Sequence, residues 1–105
     1  MVSQFDVYWV DLNPTKGAEM QKIRPCVVVS PNELNEHLQT IIVIPVTSSL
    51  HYYPFRVECT IMGKCGEIAT DQIRTIDRSR LKNKICQLAD KEIEALRGIL
   101  VEMFQ

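Results

Sequence analysis

Pro25-Cys26-Val27-Val28-Val29-Ser30-Pro31-Asn32-Glu33 changes character once, from an unbroken apolar run to the pattern that starts a helix. β-Branched residues suit a pleated surface, and a run with no polar position predicts a strand over 25–30 that is buried on both faces or sits centrally in a sheet. Ser30 before Pro31, with Glu33 three residues on, has the form of a capping box with proline at the first helical position. Leu34 and Leu38 then share a face of a short helix or single helical turn. A strand that runs straight into a helix makes the domain a mixed one.

Outward toward the N-terminus, Phe5 to Leu12 reads as a first strand, with Phe5, Val7 and Trp9 on one face and Asp6, Tyr8 and Val10 on the other, stopped by Asn13-Pro14. Thr15 to Ile23 has no period and contains Gly17, so it is a loop, and a loop that long in a small domain tends to be functional. Outward toward the C-terminus, Thr40 to Val46 is a third strand in which Pro45 implies an edge or an irregular backbone, followed by the polar exit Thr47-Ser48-Ser49. Tyr53 to Ile61 is a fourth strand and Met62-Gly63-Lys64 a turn. Cys65 to Ile76 supplies two short strands broken around Thr70-Asp71, and Lys84 to Leu88 reads as strand rather than helix. Asp90 is placed to cap a final helix whose Ile93, Leu96, Ile99, Leu100, Met103 and Phe104 fall on one stripe. Gly98 weakens that helix by about 1 kcal/mol relative to alanine, which packing of the stripe offsets. The expectation is an α+β fold: a strongly curved antiparallel sheet closing toward a β-barrel, with a short helix and a C-terminal amphipathic helix over one opening.

The 105 residues, 46% hydrophobic and 24% charged, fit one domain over 1–105, since two would each be near the size at which a core becomes marginal. No segment is apolar enough to span a bilayer, and the start Met-Val-Ser-Gln-Phe-Asp lacks a basic and apolar export pattern, so no membrane role and a cytoplasmic location are expected. Cys26, Cys59, Cys65 and Cys86 form no CxxC pair and have no histidine at ligand spacing, so they read as structural thiols; Cys59 and Cys65, flanking a turn, are near enough to approach one another. A net charge of −1 excludes coating nucleic acid by bulk electrostatics. Any such contact needs a local patch, for which Arg74, Arg78, Arg80, Lys82 and Lys84 are candidates; a solvated face is the plainer alternative.

Particular strings go further. Val10-Asp11-Leu12-Asn13-Pro14-Thr15-Lys16-Gly17-Ala18-Glu19 and Arg24-Pro25-Cys26-Val27-Val28-Val29-Ser30 together resemble the opening signature of the MazF/PemK toxin family. Pro45-Val46-Thr47-Ser48, Tyr53-Pro54-Phe55 and Asp71-Gln72-Ile73-Arg74-Thr75-Ile76-Asp77 match later family segments in the same order, so the resemblance covers nearly the whole chain. It implies an SH3-like barrel, a symmetric homodimer, and cleavage of single-stranded RNA at short motifs with no metal or other cofactor. It also implies neutralisation by a cognate antitoxin whose acidic, flexible tail occupies the RNA groove.

Such cleavage requires the ribose 2′-hydroxyl to attack the adjacent phosphate while one group takes its proton and another assists the leaving 5′-oxygen. Charge grows on the phosphate, and a guanidinium fork suits it better than an ammonium. By resemblance Arg24 is the first catalytic candidate, stabilising that charge, although with a pKa above about 12 a free arginine is a poor acid or base. Thr47 matches a family threonine whose hydroxyl can bond a phosphate oxygen. Glu19 matches the loop acid, which takes the 2′-hydroxyl proton or holds Arg24. Asp71 and Gln72 correspond to a segment that contacts RNA, and Lys16, Arg74 and Tyr52 are further candidate RNA contacts, Tyr52 by stacking on an unpaired base. Phe55 reads as core. His51 is a weaker candidate base.

Two departures matter. Some PemK-like members carry an arginine where this chain has Ala69 and a histidine where it has Ala18, so mechanisms leaning on those groups do not transfer, and weight shifts to Glu19, Arg24 and Thr47. A CcdB-like gyrase poison of the same fold is the alternative from another class, and the tail Glu102-Met103-Phe104-Gln105 lacks the tryptophan through which such poisons act.

Overall fold

A computed structural model describes residues 1–105. Seven strands and two helices follow in the order β1 (Asp6–Asp11), β2 (Ile23–Val28), α1 (Asn32–His37), β3 (Thr40–Thr47), β4 (Val57–Ile61), β5 (Lys64–Ile68), β6 (Arg74–Asp77), β7 (Leu81–Gln87) and α2 (Asp90–Met103). Single 3-10 turns at Thr70–Gln72 and Arg78–Arg80 flank β6. All pairings are antiparallel, in the order β4-β5-β3-β2-β1-β7, with β6 also on β3. The sheet curls into a half-barrel rather than closing, because β4 and β7 end the path without meeting.

β3 is the hinge of this curl. One of its edges holds β2 from Val43 to Pro45, while the other holds β6 from Thr40 to Val43 and β5 at Val46 and Thr47. Pro45 falls between these two partners, where a ladder N–H is not needed, and its carbonyl accepts from the Ala69 N–H at 2.9 Å. The expected irregularity is therefore real, but it lies in a central strand that changes neighbours rather than at an edge.

β2 is buried on both faces from Cys26 to Val28, as that unbroken apolar run predicts, while Ile23 at its start is exposed. Val27 joins Phe5, Val7, Ile44, Val46, Ile68 and Leu96 in one core, and Cys26 and Val28 join Val10, Leu12, Ile41, Val43 and Ile76 in another. α2 lies over β4, with Leu96 fully buried and Ile93, Ile99 and Leu100 packed beside it. Phe104 is the exception on the stripe: it is 67% exposed, because the helix ends at Met103.

Several local expectations need correction. β2 starts at Ile23, two residues early, and β4 starts only at Val57; the Tyr53–Phe55 segment is an irregular exposed loop, so Phe55 is not core. Ser30 does not cap α1: Pro31 holds that position, and the buried Ser30 hydroxyl instead donates to Asn35 Oδ1 at 2.5 Å and accepts from the Ile42 N–H. Asp90 is the first helical residue of α2 after Ala89, and the helix start is closed by Glu92, whose carboxylate accepts from the Ala89 N–H at 3.1 Å and the Thr60 N–H at 2.8 Å. The Met62-Gly63 turn has both residues at positive φ, 52° and 75°, the geometry that matches the twist of a two-residue hairpin. Across that hairpin Cys59 faces Gly66 while Cys65 faces Thr60, so the two thiols point to opposite faces and all four cysteines are free.

The run of cations from Arg74 to Lys84 is mostly engaged with the fold itself. Arg74 donates to the Leu12 carbonyl, Arg78 to those of Asn35 and Leu38, and Arg80 to those of Asp11 and Asn13. Lys84 pairs with the buried Asp6 at 3.3 Å.

Candidate active site

The β2–β3 register pairs Val28 with Val43, Val27 with Ile44 and Cys26 with Pro45. Continued by two residues, it sets Arg24 opposite Thr47. Both side chains line one cavity of about 360 Å³, together with Trp9, Lys22, Ser48 and Lys64. The Arg24 Nε donates to the Gln21 carbonyl at 2.9 Å, which fixes the plane of the guanidinium. Thr47 is 8% exposed; its hydroxyl oxygen accepts from the Ser49 N–H at 3.1 Å and keeps its own proton to donate. Arg24, Lys22 and Lys64 make the cavity cationic, so it suits an anion that needs both charge and a directed hydroxyl.

A second hollow of about 330 Å³ shares no lining residue with the first and is lined by Ala18, Glu19, Met20, Pro45, Asp71, Gln72, Ile73 and Arg74. Glu19 thus lies with the candidate RNA contacts rather than in the Arg24–Thr47 cavity. Its carboxylate accepts from the Lys16 N–H at 2.6 Å, and it does not hold Arg24, a task done by the Gln21 carbonyl. Lys16 and Tyr52 line neither hollow, and Tyr52 is 68% exposed at the rim of the loop after β3.

Sequence reasoning missed Glu67 and Arg56. Glu67, directly opposite Thr47 on β5, is 1% exposed. Its Oε2 accepts from the N–H groups of His51 at 3.0 Å and Tyr52 at 2.6 Å, and its Oε1 meets Arg56 at 3.4 Å. Burial pushes its carboxyl up, but the Tyr52 N–H, Arg56 and the His51 N–H together hold it below the usual carboxylate range. Arg56 also grips Asp71 with two bonds, of 2.9 and 3.1 Å, and this guanidinium is the main reason the Asp71 carboxyl is held low. Opposite charges eleven or more residues apart leave no local pattern, so nothing in the linear sequence marks the pair.

Over residues 3–104 the chain matches the family described as PemK-like, MazF-like toxin of type II toxin-antitoxin system. It is 33% identical over 106 residues to the Endoribonuclease MazF of Staphylococcus saprophyticus, which covers 95% of this chain and 88% of that protein. The crystal structure of MazF (Form-I) from Deinococcus radiodurans superposes with a TM-score of 0.86 at 28% identity, covering 98% of this chain and 96% of that one. A MazE-MazF structure (Form-II) from the same organism shares the fold, with a TM-score of 0.78 at 24% identity over 98% and 94% of the two chains. The ordered motifs, the curled sheet and a match across nearly the whole chain agree: this protein belongs to the PemK-like, MazF-like toxin family of type II toxin-antitoxin systems.

Proposed function

We propose that this protein is a sequence-specific endoribonuclease toxin that cuts single-stranded RNA, mRNA included, without a metal and thereby arrests translation and growth. The supporting observation is the convergence of Arg24 and Thr47 on one cationic cavity sized for a phosphodiester and its sugar. In the proposed step the ribose 2′-oxygen bonds to phosphorus as the bond from phosphorus to the 5′-oxygen breaks. The products are a 2′,3′-cyclic phosphate and a 5′-hydroxyl. Arg24 neutralises the charge that builds on the non-bridging oxygens, and the Thr47 hydroxyl donates to one of them. Glu19, in the second hollow, is the carboxylate assigned to the 2′-hydroxyl proton, for which it must exchange the Lys16 N–H for the substrate, and the departing 5′-oxygen takes its proton from solvent water.

Flanking bases are assigned to the second hollow, with Gln72 and Arg74 as contacts, Asp71 shaping that edge, and Lys16 and Tyr52 at the rim, Tyr52 by stacking. A homodimer extends the groove, and the cytoplasm is the proposed site of action. The family's toxin-antitoxin pairing and the cationic cavity support a cognate antitoxin whose acidic, flexible tail occupies the same cavity. The test is incubation of purified protein with mixed-sequence RNA in excess chelator, followed by sequencing of 5′ ends. Cleavage at recurring short motifs with 5′-hydroxyl ends is the expected result, and intact RNA refutes the reading.

A further inference from the structure

The loop leaving Thr47 and the loop before β2 are separate in sequence, yet a continuous series of hydrogen bonds joins them. Glu67 holds the N–H groups of His51 and Tyr52 from beneath the first loop. Arg56 reaches from Glu67 to Asp71 on the 3-10 turn before β6, and its guanidinium also lies 4.9 Å over the Tyr53 ring, which stacks on His51. Asp71 accepts from Gln72 Nε2 at 3.5 Å, and Gln72 Oε1 accepts from the Met20 N–H, next to Glu19 in the second loop, at 3.3 Å. Glu67 fastens the first loop from β5, Arg56 at that loop's own end ties it to the 3-10 turn, and Gln72 on the turn fastens the second loop, so the series runs from the residue opposite Thr47 to the residue beside Glu19.

We infer that Arg56 and Glu67 are positioning residues that couple the two loops, so that RNA seated against one sets the geometry of the other. Asp71 in this arrangement is an anchor for Arg56 and shapes the second hollow, while Gln72 reads the base. The functional half rests on the ribonuclease reading; the structural half does not. An arginine is needed at position 56 because two carboxylates must be met at once by a planar fork, which the single ammonium of lysine does not reproduce.

The experiment compares wild type with Arg56→Gln, Arg56→Lys and Glu67→Gln, using amide hydrogen exchange on the full chain and cleavage kinetics on one defined RNA. In Arg56→Gln the amides of His51, Tyr52 and Met20 are expected to exchange about tenfold faster while those in β2 and β3 stay protected, since local opening is distinct from global unfolding. KM is expected to rise about tenfold with kcat changed by less than about threefold, the mark of lost binding geometry rather than lost chemistry. Arg56→Lys should recover neither readout. Unchanged Met20 exchange in Arg56→Gln, or full recovery by lysine, overturns the coupling. If Glu67→Gln loses the β2 and β3 protection as well, the Arg56 pair alone decides. RNA left uncut by wild type defeats the ribonuclease reading, and the Met20 amide still decides the coupling.

Discussion

At the scale of single residues, the proposed role of Arg24 asks for two or more directed donors toward one phosphate, which its guanidinium fork offers and the single ammoniums of Lys22 and Lys64 do not. Arg24→Ala is expected to lower cleavage by at least about 10²-fold with the fold intact, measured by initial rates alongside circular dichroism. Thr47→Val should reduce kcat by more than it weakens RNA affinity, because a bond to a phosphate oxygen strengthens as charge accumulates; equal losses would make Thr47 a binding residue only. A chemical probe is also available. Cys65 is exposed and lines the cavity, whereas burial pushes the Cys26 and Cys59 thiols up to about 12. Iodoacetamide should therefore modify Cys65 first, and bound RNA should protect it, read by mass spectrometry. Arg24 and Thr47, which the structure brings to one cavity, could be singled out in the chain because each sits in a distinctive string. Glu67 and Arg56 were not, because the value of each depends on a partner that only the folded sheet supplies.

At the scale of elements, the meeting of β3 and β5 is tight by necessity. A Cβ on Gly66 would lie 2.7 Å from the Thr47 carbonyl oxygen and 3.3 Å from a Val46 methyl, and the first neighbour is backbone. Gly66→Ala should displace the end of β3, costing about 1–3 kcal/mol in a denaturant titration and reducing cleavage, since small-to-large changes in packed sites strain the backbone. Leu96→Ala on α2 is expected to cost about 2–5 kcal/mol, whereas Phe104→Ala should change stability by less than about 0.5 kcal/mol. The strands were readable from apolar runs and turn residues, and the double burial of β2 was readable from Cys26-Val27-Val28. The helix starts were misread for a physical reason. Ser30 and Asn35 are buried, and the Ile42 N–H and the Asn35 amide offer the Ser30 hydroxyl partners that the α1 backbone would otherwise claim.

For the whole molecule, the net charge of −1 and the cations already tied to carbonyls leave few groups for phosphates. RNA affinity should fall with salt along a shallow logarithmic slope, about −2 for three phosphates on a single strand, in filter binding or anisotropy. Acid should loosen the molecule in a defined place. The carboxyls of Glu67 and Asp71 are held below their ordinary range, so their contribution is present above that range and is lost as pH falls through the folded-state values. Melting temperature should therefore decline on acidification below about pH 4, and less steeply in Arg56→Gln. The half-barrel itself leaves β4 as an open border, and Glu92 of α2 occupies the Thr60 amide that faces outward from it. That carboxylate leaves the border without a free donor at Thr60. With Glu92→Ala, a strand from a second copy finds a free donor on which to begin a ladder, and crowded protein should gather into filaments before it unfolds.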